Sequence, residues 1–385
     1  MLDCRKEEFY LPADFHFLNC AYLSPQSRRV EAAGQAALQR KRNPADIRPK
    51  DFFTESDHVR RLFAELIGAK PSSIALVPSV SYGLASIAKN LPVVRNQKIV
   101  LLNEQFPSNV YTWRRLAGRH GAKIVTVEPP EKNRARGWNE RILNAIDRET
   151  AIVALPNVHW TDGTLFDLEA IGERARSVGA ALVVDGTQSV GALPFHVERV
   201  RPDAIVCAGY KWLFGPYSTA LAYIDERHHN GVPLEENWIT RRRSEEFSRL
   251  VDYEDQYQPG AVRFDVGERS NFALLPMLAA ALDQIQEWGP EEIQKYCRAL
   301  TSGLIEEART MGYEIEDESG RASHLFGIRM RIRGAEVRLR DELEKRNVAV
   351  SVRGSAVRVA PHVYNDEHDV EALLDALRAV AGVAV

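Results

Sequence analysis

The chain has 385 residues, more than one hydrophobic core usually organises, so we expect one large domain and one smaller domain. Hydrophobic residues make up 45% and charged residues 27%, and the formal net charge of -3 shows no basic excess of the kind that nucleic-acid binding requires. No apolar run approaches the ~18 to 20 residues that span a bilayer. The composition therefore suits an enzyme without nucleic-acid or membrane partners.

The four cysteines lie far apart in the sequence. No two form a CxxC pair, and the first residues, MLDCRKEEFY, are polar and lack the apolar core of a signal peptide. We therefore expect a cytoplasmic protein with free thiols, no metal site and no catalytic cysteine. The cysteines are Cys4, Cys20, Cys207 and Cys297.

Strand-like apolar runs alternate with amphipathic stretches over the first two thirds of the chain. They are IALVP from residue 74, KIVLL from 98, KIVTV from 123, AIVALP from 151, ALVVD from 181 and AIVCAG from 204. This alternation predicts an α/β domain in which a mainly parallel sheet is covered by helices on both faces. Ligands of such sheets bind beyond the carboxyl ends of the strands.

The chain is expected to divide into three parts. Residues 1–20 form an N-terminal arm that packs on a domain surface or a partner subunit, residues 21–258 the large domain, and residues 259–385 a small α+β domain. The polar stretch at 241–258 favours a solvated helix or loop and is also a candidate boundary. After it we expect a helix at FALLPMLAAALDQI, short strands at FGIRMRI, VAVSV and AVRVAP, and a closing helix.

The run ALVVD ends in Asp185, which is followed by Gly186, Thr187 and Gln188. An Asp at a strand end commonly caps the turn or helix that follows. The alternative is that this carboxylate, at the carboxyl edge of the sheet, pairs with the protonated ring nitrogen of a cofactor that accepts electrons from a substrate carbanion.

Lys211 follows the next strand-like run and lies among apolar residues in GYKWLFGP. Burying an unpaired ammonium group is costly, so this lysine is expected to be neutral or covalently used. A desolvated lysine has a lowered pKa, which makes its amine nucleophilic near neutral pH and able to form an imine with an aldehyde. Because it comes one strand after Asp185, we expect the two side chains at the same sheet edge.

A polar turn at Ser79, Val80 and Ser81 separates the first run from a predicted helix. Serine is a common N-cap, so plain capping is one interpretation. The other places a phosphate group at the helix N-terminus, where free backbone N–H groups, the positive end of the dipole and the serine hydroxyls meet it. Neither GxxxxGK[ST] nor GxGxxG is present, so a nucleotide-type phosphate loop has no support.

Phe106 follows the KIVLL run, and Pro107 fixes the turn behind it. The phenyl ring is either part of the core or stacks on one face of a flat cofactor. A carboxylate, an amine, a phosphate site and a stacking ring at one sheet edge together favour pyridoxal 5′-phosphate (PLP) as the cofactor.

With these residues in place, the sequence resembles the class V aminotransferase superfamily, which contains cysteine desulfurases, kynureninases and isopenicillin N epimerase-like proteins. The resemblance covers nearly the whole chain, and its most specific part is VVDGTQSVG followed by AGYKWLFGP. It implies the PLP-dependent transferase fold of type I, with a mainly parallel seven-stranded sheet between helices and a small C-terminal α+β domain.

The resemblance also implies how PLP is held. Lys211 carries it as a Schiff base, Asp185 pairs with the pyridine nitrogen, and Gln188 donates to the phenolic oxygen. Phe106 stacks on the ring. The residues implied at the phosphate are Ser79, Val80, Ser81 and Tyr210.

For the substrate, the resemblance implies that Arg358 binds the α-carboxylate, since guanidinium and carboxylate pair in bidentate geometry. A solvated strand arginine is the alternative. Arg353 is a second candidate for the substrate site.

Some features depart from the desulfurase branch. Ala208 stands where desulfurases have a serine on the phosphate, and Trp160 replaces a polar residue near the phenolic oxygen, so His159 and Asp162 are candidates to replace those contacts. The stretch 353–358 is only RGSAVR, which leaves no room for the long loop that carries the desulfurase cysteine.

The expected activity is a transformation of an amino acid through the Lys211 Schiff base, with Lys211 moving the α-proton. Transamination is the nominal reaction, while β-elimination, hydrolysis at the side chain and epimerisation share its first steps. A non-catalytic protein that keeps the fold is the alternative from another class. The presence of both Asp185 and Lys211 argues against it.

The resemblance finally implies a homodimer with shared active sites. In AVRFDVGERSNF, which is similar to the Arg-Phe-x-x-Gly stretch of the family, Arg269, Ser270 and Asn271 are candidate donors to the phosphate in the partner chain. Arg263 is expected to support the loop. The alternative is a local turn in which Asn271 lies near the N-cap of the next helix.

Overall fold

The protein is built from helices that alternate with short strands. A computed structural model describes residues 2–131, 133–330, 335–353 and 356–381, with only the backbone of residues 335 and 336. The strands are β1 (His16–Phe17), β2 (Ile74–Val77), β3 (Lys98–Leu102), β4 (Lys123–Val127), β5 (Thr150–Pro156), β6 (Ala181–Asp185), β7 (Ala204–Ala208), β8 (Ala220–Ile224), β9 (Phe326–Arg329), β10 (Val348–Ala349), β11 (Ser351–Arg353) and β12 (Ala356–Val359). The helices are α1 (Arg28–Arg40), α2 (Asp51–Ile67), α3 (Val80–Ala88), α4 (Ser108–His120), α5 (Arg134–Ala145), α6 (Leu168–Val178), α7 (Val197–Val200), α8 (Leu274–Trp288), α9 (Pro290–Thr310), α10 (Ala335–Lys345) and α11 (Glu367–Ala381).

The central sheet has seven strands in the order β2-β8-β7-β6-β5-β3-β4. β3 to β7 pair in parallel, while β8 is antiparallel to both β7 and β2. The prediction of a mainly parallel seven-stranded sheet between helices is therefore confirmed. The sequence analysis did not assign β8, because a short apolar run such as ALAYI fits a buried strand and a buried helix equally well.

Helices cover both faces of this sheet and bury its inner strands, while the edge strand β4 is partly exposed. Along β3, Ile99 and Leu101 belong to one hydrophobic core with Leu84 of α3, whereas Val100 and Leu102 belong to the opposite core with Phe63 of α2. This separation follows from the period of two in a strand. The strands read as continuous apolar runs because both of their faces are covered.

The C-terminal part is a smaller α+β unit. Its antiparallel sheet has the order β11-β12-β9, and α9, α10 and α11 pack with it around a third core. β1 pairs in parallel with β10, so part of the segment 1–20 packs on this unit. The boundary at 258 stays a prediction, and beyond it Leu275 and Leu282 of α8 lie in the same core as Phe63.

The polar stretch 241–258 forms turns and a short 3-10 helix at Phe247–Arg249, as expected of a solvated loop. Among the described helices, none is long and apolar enough to cross a membrane.

Candidate active site

A cavity of about 450 Å³ lies beyond the carboxyl ends of β6 and β7. This is the position that a doubly covered parallel sheet offers to a ligand. The cavity brings together most of the residues that the sequence analysis assigned to the cofactor. Those in its wall are Ser79, Val80, Ser81, Phe106, Asp185, Gln188, Tyr210 and Lys211.

Asp185 is the last residue of β6, and its carboxylate lies at the inner end of this cavity. Its side chain is buried, and Oδ1 accepts a hydrogen bond of 3.0 Å from the backbone N–H of Thr187. Burial raises the pKa of Asp185, while the hydrogen bonds from Thr187 and the charge of Lys211 act in the opposite direction. The side chain thus both caps the turn and lines the cavity, while its pairing with a ring nitrogen stays a prediction.

Lys211 is held by a tight turn that follows β7. The backbone N–H of Gly209 donates to the carbonyl of Thr219 at 2.8 Å, and a Cβ at Gly209 would collide with Thr219. The next residues, Trp212 and Phe214, are buried and anchor the turn, with Phe214 in the left-handed region at φ 52°. Because Trp212 and Phe214 pack into the core, the Lys211 side chain lies on the other side of the turn, in the cavity.

Lys211 is buried, with only 7% of the residue exposed. Burial lowers its pKa to about 8, although the charge of Asp185 raises it. Nζ lies 5.3 Å from the ring centroid of Phe106 and 5.6 Å from that of Tyr210. At neutral pH this amine has a far larger neutral, nucleophilic fraction than an exposed lysine.

The turn before α3 offers hydrogen-bond donors to the cavity. Ser79 is the N-cap of α3, and its Oγ accepts from the N–H of Tyr82 at 3.2 Å and lies 3.0 Å from Oγ of Ser81. The first N–H groups of a helix have no partner within it, and they carry the positive end of the dipole. Capping and anion binding are therefore both available at this turn.

Gln188 and Phe106 form two further parts of the wall. Gln188 accepts from Trp212 Nε1 at 2.8 Å and donates to the carbonyl of Ala21 at 3.2 Å, which fixes its amide while one amide hydrogen remains for a ligand. Phe106 is 37% exposed and meets the ring of Trp160 edge-on at 5.4 Å between centroids. Its ring is thus held against the cavity and is not part of the core.

A second cavity of about 330 Å³ adjoins the first, and Phe106, Trp160 and Lys211 line both. Arg353 and Arg358 lie in its wall. Arg358 is buried, and its Nη1 donates to the carbonyl of Trp160 at 3.0 Å. Burial, aided by the nearby charge of Arg353, lowers the pKa of Arg358 to about 9. Arg358 is therefore not the solvated strand arginine of the alternative interpretation.

His159 and Asp162 do not line either cavity. Val158 and Trp160 face the first cavity, so His159 between them points the other way, where its Nδ1 contacts Thr161 Oγ1 at 2.8 Å. Asp162 pairs with two arginines on the same far side, and despite burial these charges and His159 lower its pKa. His159 instead packs against the ring of Trp138, at 4.9 Å between centroids, and a contact of His159 or Asp162 with the cofactor stays a prediction.

The residues expected to serve a partner chain lie outside the cavity of their own chain. Arg269 is buried and pairs with Asp265, and Ser270 donates to the carbonyl of Phe52. Asn271 is exposed, and its Oδ1 accepts from the N–H groups of Ala273 and Leu274 before α8. The local turn with Asn271 near the N-cap of α8, which is Ala273, is thus present, and donation to a partner stays a prediction.

The sequence analysis missed Asn109, which lies one turn after Phe106. Its Oδ1 accepts from Trp113 Nε1 at 2.7 Å, while its buried Nδ2 has no partner among the described residues. A polar residue at a buried helix position was the available signal, since such a group needs a partner. Other polar residues of the wall that were not predicted are Gln105, Ser108, Thr187, Tyr217, Ser218 and Thr219.

The cysteines do not line either cavity. Cys20, Cys207 and Cys297 are buried, and burial raises the pKa of each thiol. Buried thiols of this kind are inert.

The residues present fit PLP. The α3 turn supplies donors for a phosphate, Phe106 a flat surface for a ring, Asp185 a buried anion for a ring nitrogen, and Lys211 a nucleophilic amine for an aldehyde.

Comparisons with known proteins agree with this fit. The chain matches the model of the family described as "Aminotransferase class-V" over residues 42–379. It is 27% identical over 339 residues to an uncharacterised aminotransferase of Bacillus subtilis (strain 168), covering 86% of this chain and 85% of that protein. It is 25% identical over 331 residues to kynureninase of Geobacillus thermodenitrificans (strain NG80-2), covering 84% and 75%.

Among solved structures, a cysteine desulfurase from Thermococcus onnurineus NA1 superposes with a TM-score of 0.81. The superposition covers 99% of this chain and 100% of that one, at 21% identity. At that identity the likeness shows the fold alone, and the fold predicted from the motifs is confirmed.

Proposed function

The chain belongs to the class V aminotransferase family, a family of PLP enzymes, and we propose that its substrate is an amino acid and that Lys211 holds the cofactor. The observation that carries this proposal is a buried amine with a lowered pKa at the same sheet edge as a buried carboxylate. Perturbed groups of this kind in one cavity are typical of active sites.

PLP, when bound, takes up the electrons of a bond broken at the substrate α-carbon. Asp185, whose carboxylate is fixed by the N–H of Thr187, would pair with the ring nitrogen and favour its protonated form. Phe106 would cover one face of the ring, and the turn at Ser79 and Ser81 would hold the phosphate.

Lys211 is also the proposed general base and acid. Its Nζ would accept the proton of the substrate α-carbon and would return it to another atom of the substrate. A pKa of about 8 suits both roles near neutral pH. Arg358 binds the substrate α-carboxylate from the adjoining cavity, which orients the α-carbon toward Lys211.

Transamination is the first candidate reaction. Cleavage of a side-chain bond is the second, and the similarity to kynureninase favours it. A desulfurase reaction through a loop cysteine has no support, because Arg353 pairs with Ala356 and only residues 354 and 355 join β11 to β12. We further propose a homodimer as the active unit.

The decisive experiment begins with the purified protein, which should absorb at roughly 410 to 430 nm through PLP attached to lysine. Lys211→Ala should lose this band, whereas Lys70→Ala, which removes an exposed lysine paired with Glu226, should keep it. Borohydride reduction that still joins PLP to another lysine in Lys211→Ala would contradict the assignment.

The reaction outcome is then read from products. L- and D-amino acids are supplied with and without 2-oxo acids, and new amino acids, oxo acids, ammonia, pyruvate and sulfide are measured.

Asp185→Asn should keep PLP but lower turnover about 100-fold or more, since the ring nitrogen loses its anionic partner. Unchanged turnover would show that another carboxylate has this role.

A further inference from the structure

The β11–β12 hairpin presents two arginines on one face. Arg353 pairs with Ala356, and Ser351 pairs with Arg358. Because directly opposite residues share a face and alternate residues along a strand do too, Arg353 and Arg358 are diagonal neighbours on that face. Both line the cavity that adjoins Lys211.

Neither guanidinium is neutralised by a carboxylate within the described ranges. Arg353 donates to the carbonyl of Val352 at 2.8 Å, and Arg358 donates to the carbonyl of Trp160 and more weakly to Asn19 and Ser351. Nε of Arg358 is buried and has no partner among the described residues. Two adjacent cations facing one cavity repel each other unless anions bind there.

Trp160 contacts both arginines. Its carbonyl accepts from Arg358 at 3.0 Å, while its indole ring lies 5.8 Å from the guanidinium carbon of Arg353. Each guanidinium group thus contacts a different part of Trp160, and each has its own charge without a carboxylate partner among the described residues. The ring also holds the Arg353 side chain toward the cavity.

We propose that the substrate carries a second anionic group on its side chain, which Arg353 binds while Arg358 binds the α-carboxylate. This inference rests on the proposed function and names its substrate class, an amino acid with an acidic side chain. Arg353 is thus the residue that determines specificity, since a neutral side chain would leave its charge without a partner in the complex.

The test is equilibrium binding of acids that differ by one carboxylate. Calorimetry with the PLP-loaded protein compares propionate with succinate and butyrate with glutarate. At least one dicarboxylate should bind about 10-fold to 100-fold more tightly than its monocarboxylate, as expected for one additional charge-assisted pair. Equal affinities in both comparisons would overturn the proposal.

Variants assign the preference to a residue. Arg353→Gln should weaken the preferred dicarboxylate about 10-fold or more and leave the monocarboxylate unchanged, and Arg353→Lys should restore part of the loss. Arg346→Gln is the matched control, because Arg346 is also partly buried but pairs with Glu342 on α10. Equal weakening of both acids in Arg353→Gln would mean that both arginines bind one carboxylate, and the proposal would fail.

This binding does not depend on turnover. A protein that prefers dicarboxylates but converts no amino acid would count against the proposed function alone. A protein that converts neutral amino acids and shows no preference would count against the role of Arg353 alone.

Discussion

At the scale of single residues, the lowered pKa of Lys211 results from the burial of its neighbours. Trp212 and Phe214 fill the core beneath the turn, so the lysine between Tyr210 and Trp212 has no route to solvent except through the cavity. The cost of desolvating an ammonium group then lowers the pKa of Lys211 to about 8. A surface lysine with the same neighbours in sequence would lack this property.

This burial predicts the pH dependence of Lys211 acylation in the cofactor-free protein. A lowered pKa means that the neutral amine appears at lower pH, so about half of Lys211 should be neutral at pH 8, against roughly 0.3% for an ordinary lysine. Trace acetic anhydride followed by mass spectrometry measures the reactivity of each lysine between pH 6 and 11. Lys211 reactivity should level off above pH 8.

Lys70 serves as the internal control, because its hydrogen bond to Glu226 raises its pKa. Its acetylation should still increase beyond pH 10. If Lys211 and Lys70 titrated together, the burial argument for Lys211 would be wrong.

At the scale of elements, the start of α3 combines two roles in one serine. Ser79 caps the helix through the N–H of Tyr82 and also lines the cavity. A cap contributes about 0.5 to 2 kcal/mol to stability wherever it stands. The phosphate role, in contrast, depends on the place of α3 at the carboxyl edge of the sheet.

The two roles are separated by a matched pair of substitutions. Ser79→Ala and Asp167→Ala, which removes the cap of α6 at Ala170, should each cost about 1 kcal/mol in urea unfolding. Only Ser79→Ala should weaken PLP binding, about 10-fold, while leaving the binding of pyridoxal, which lacks the phosphate, nearly unchanged. Equal loss for PLP and pyridoxal would argue that Ser79 acts only as a cap.

At the scale of the whole molecule, the proposed homodimer would complete the phosphate site. Arg269 pairs with Asp265, which leaves Asn271 as the exposed residue among the three candidate donors to a second copy. A site shared between two chains links cofactor affinity to association by mass action.

Sedimentation at a series of concentrations checks this link. The protein should be a dimer at low micromolar concentration, and dilution that dissociates the dimer should release PLP in parallel, as seen in the loss of the visible band. A monomer that keeps both its band and its full activity would remove the shared site.

Six of the seven strands of the central sheet, all except β8, were predictable from apolar runs in the sequence. Asp185, Lys211 and Ser79 follow such runs closely, so their meeting at one edge follows from the parallel direction of those strands. The resemblance added the role of Arg358. These patterns are local in the sequence, so they can be recognised without knowledge of the tertiary contacts.

The orientation of several side chains around the cavity depends on contacts between distant parts of the chain. That Trp160 lines the cavity while His159 packs against Trp138 of α5 reflects a contact between separate elements of the chain. The buried state of Asn109 and the nearness of Arg353 to Lys211 are equally non-local. Side-chain direction in irregular segments is set by what packs against them, and sequence periodicity carries no information about those partners.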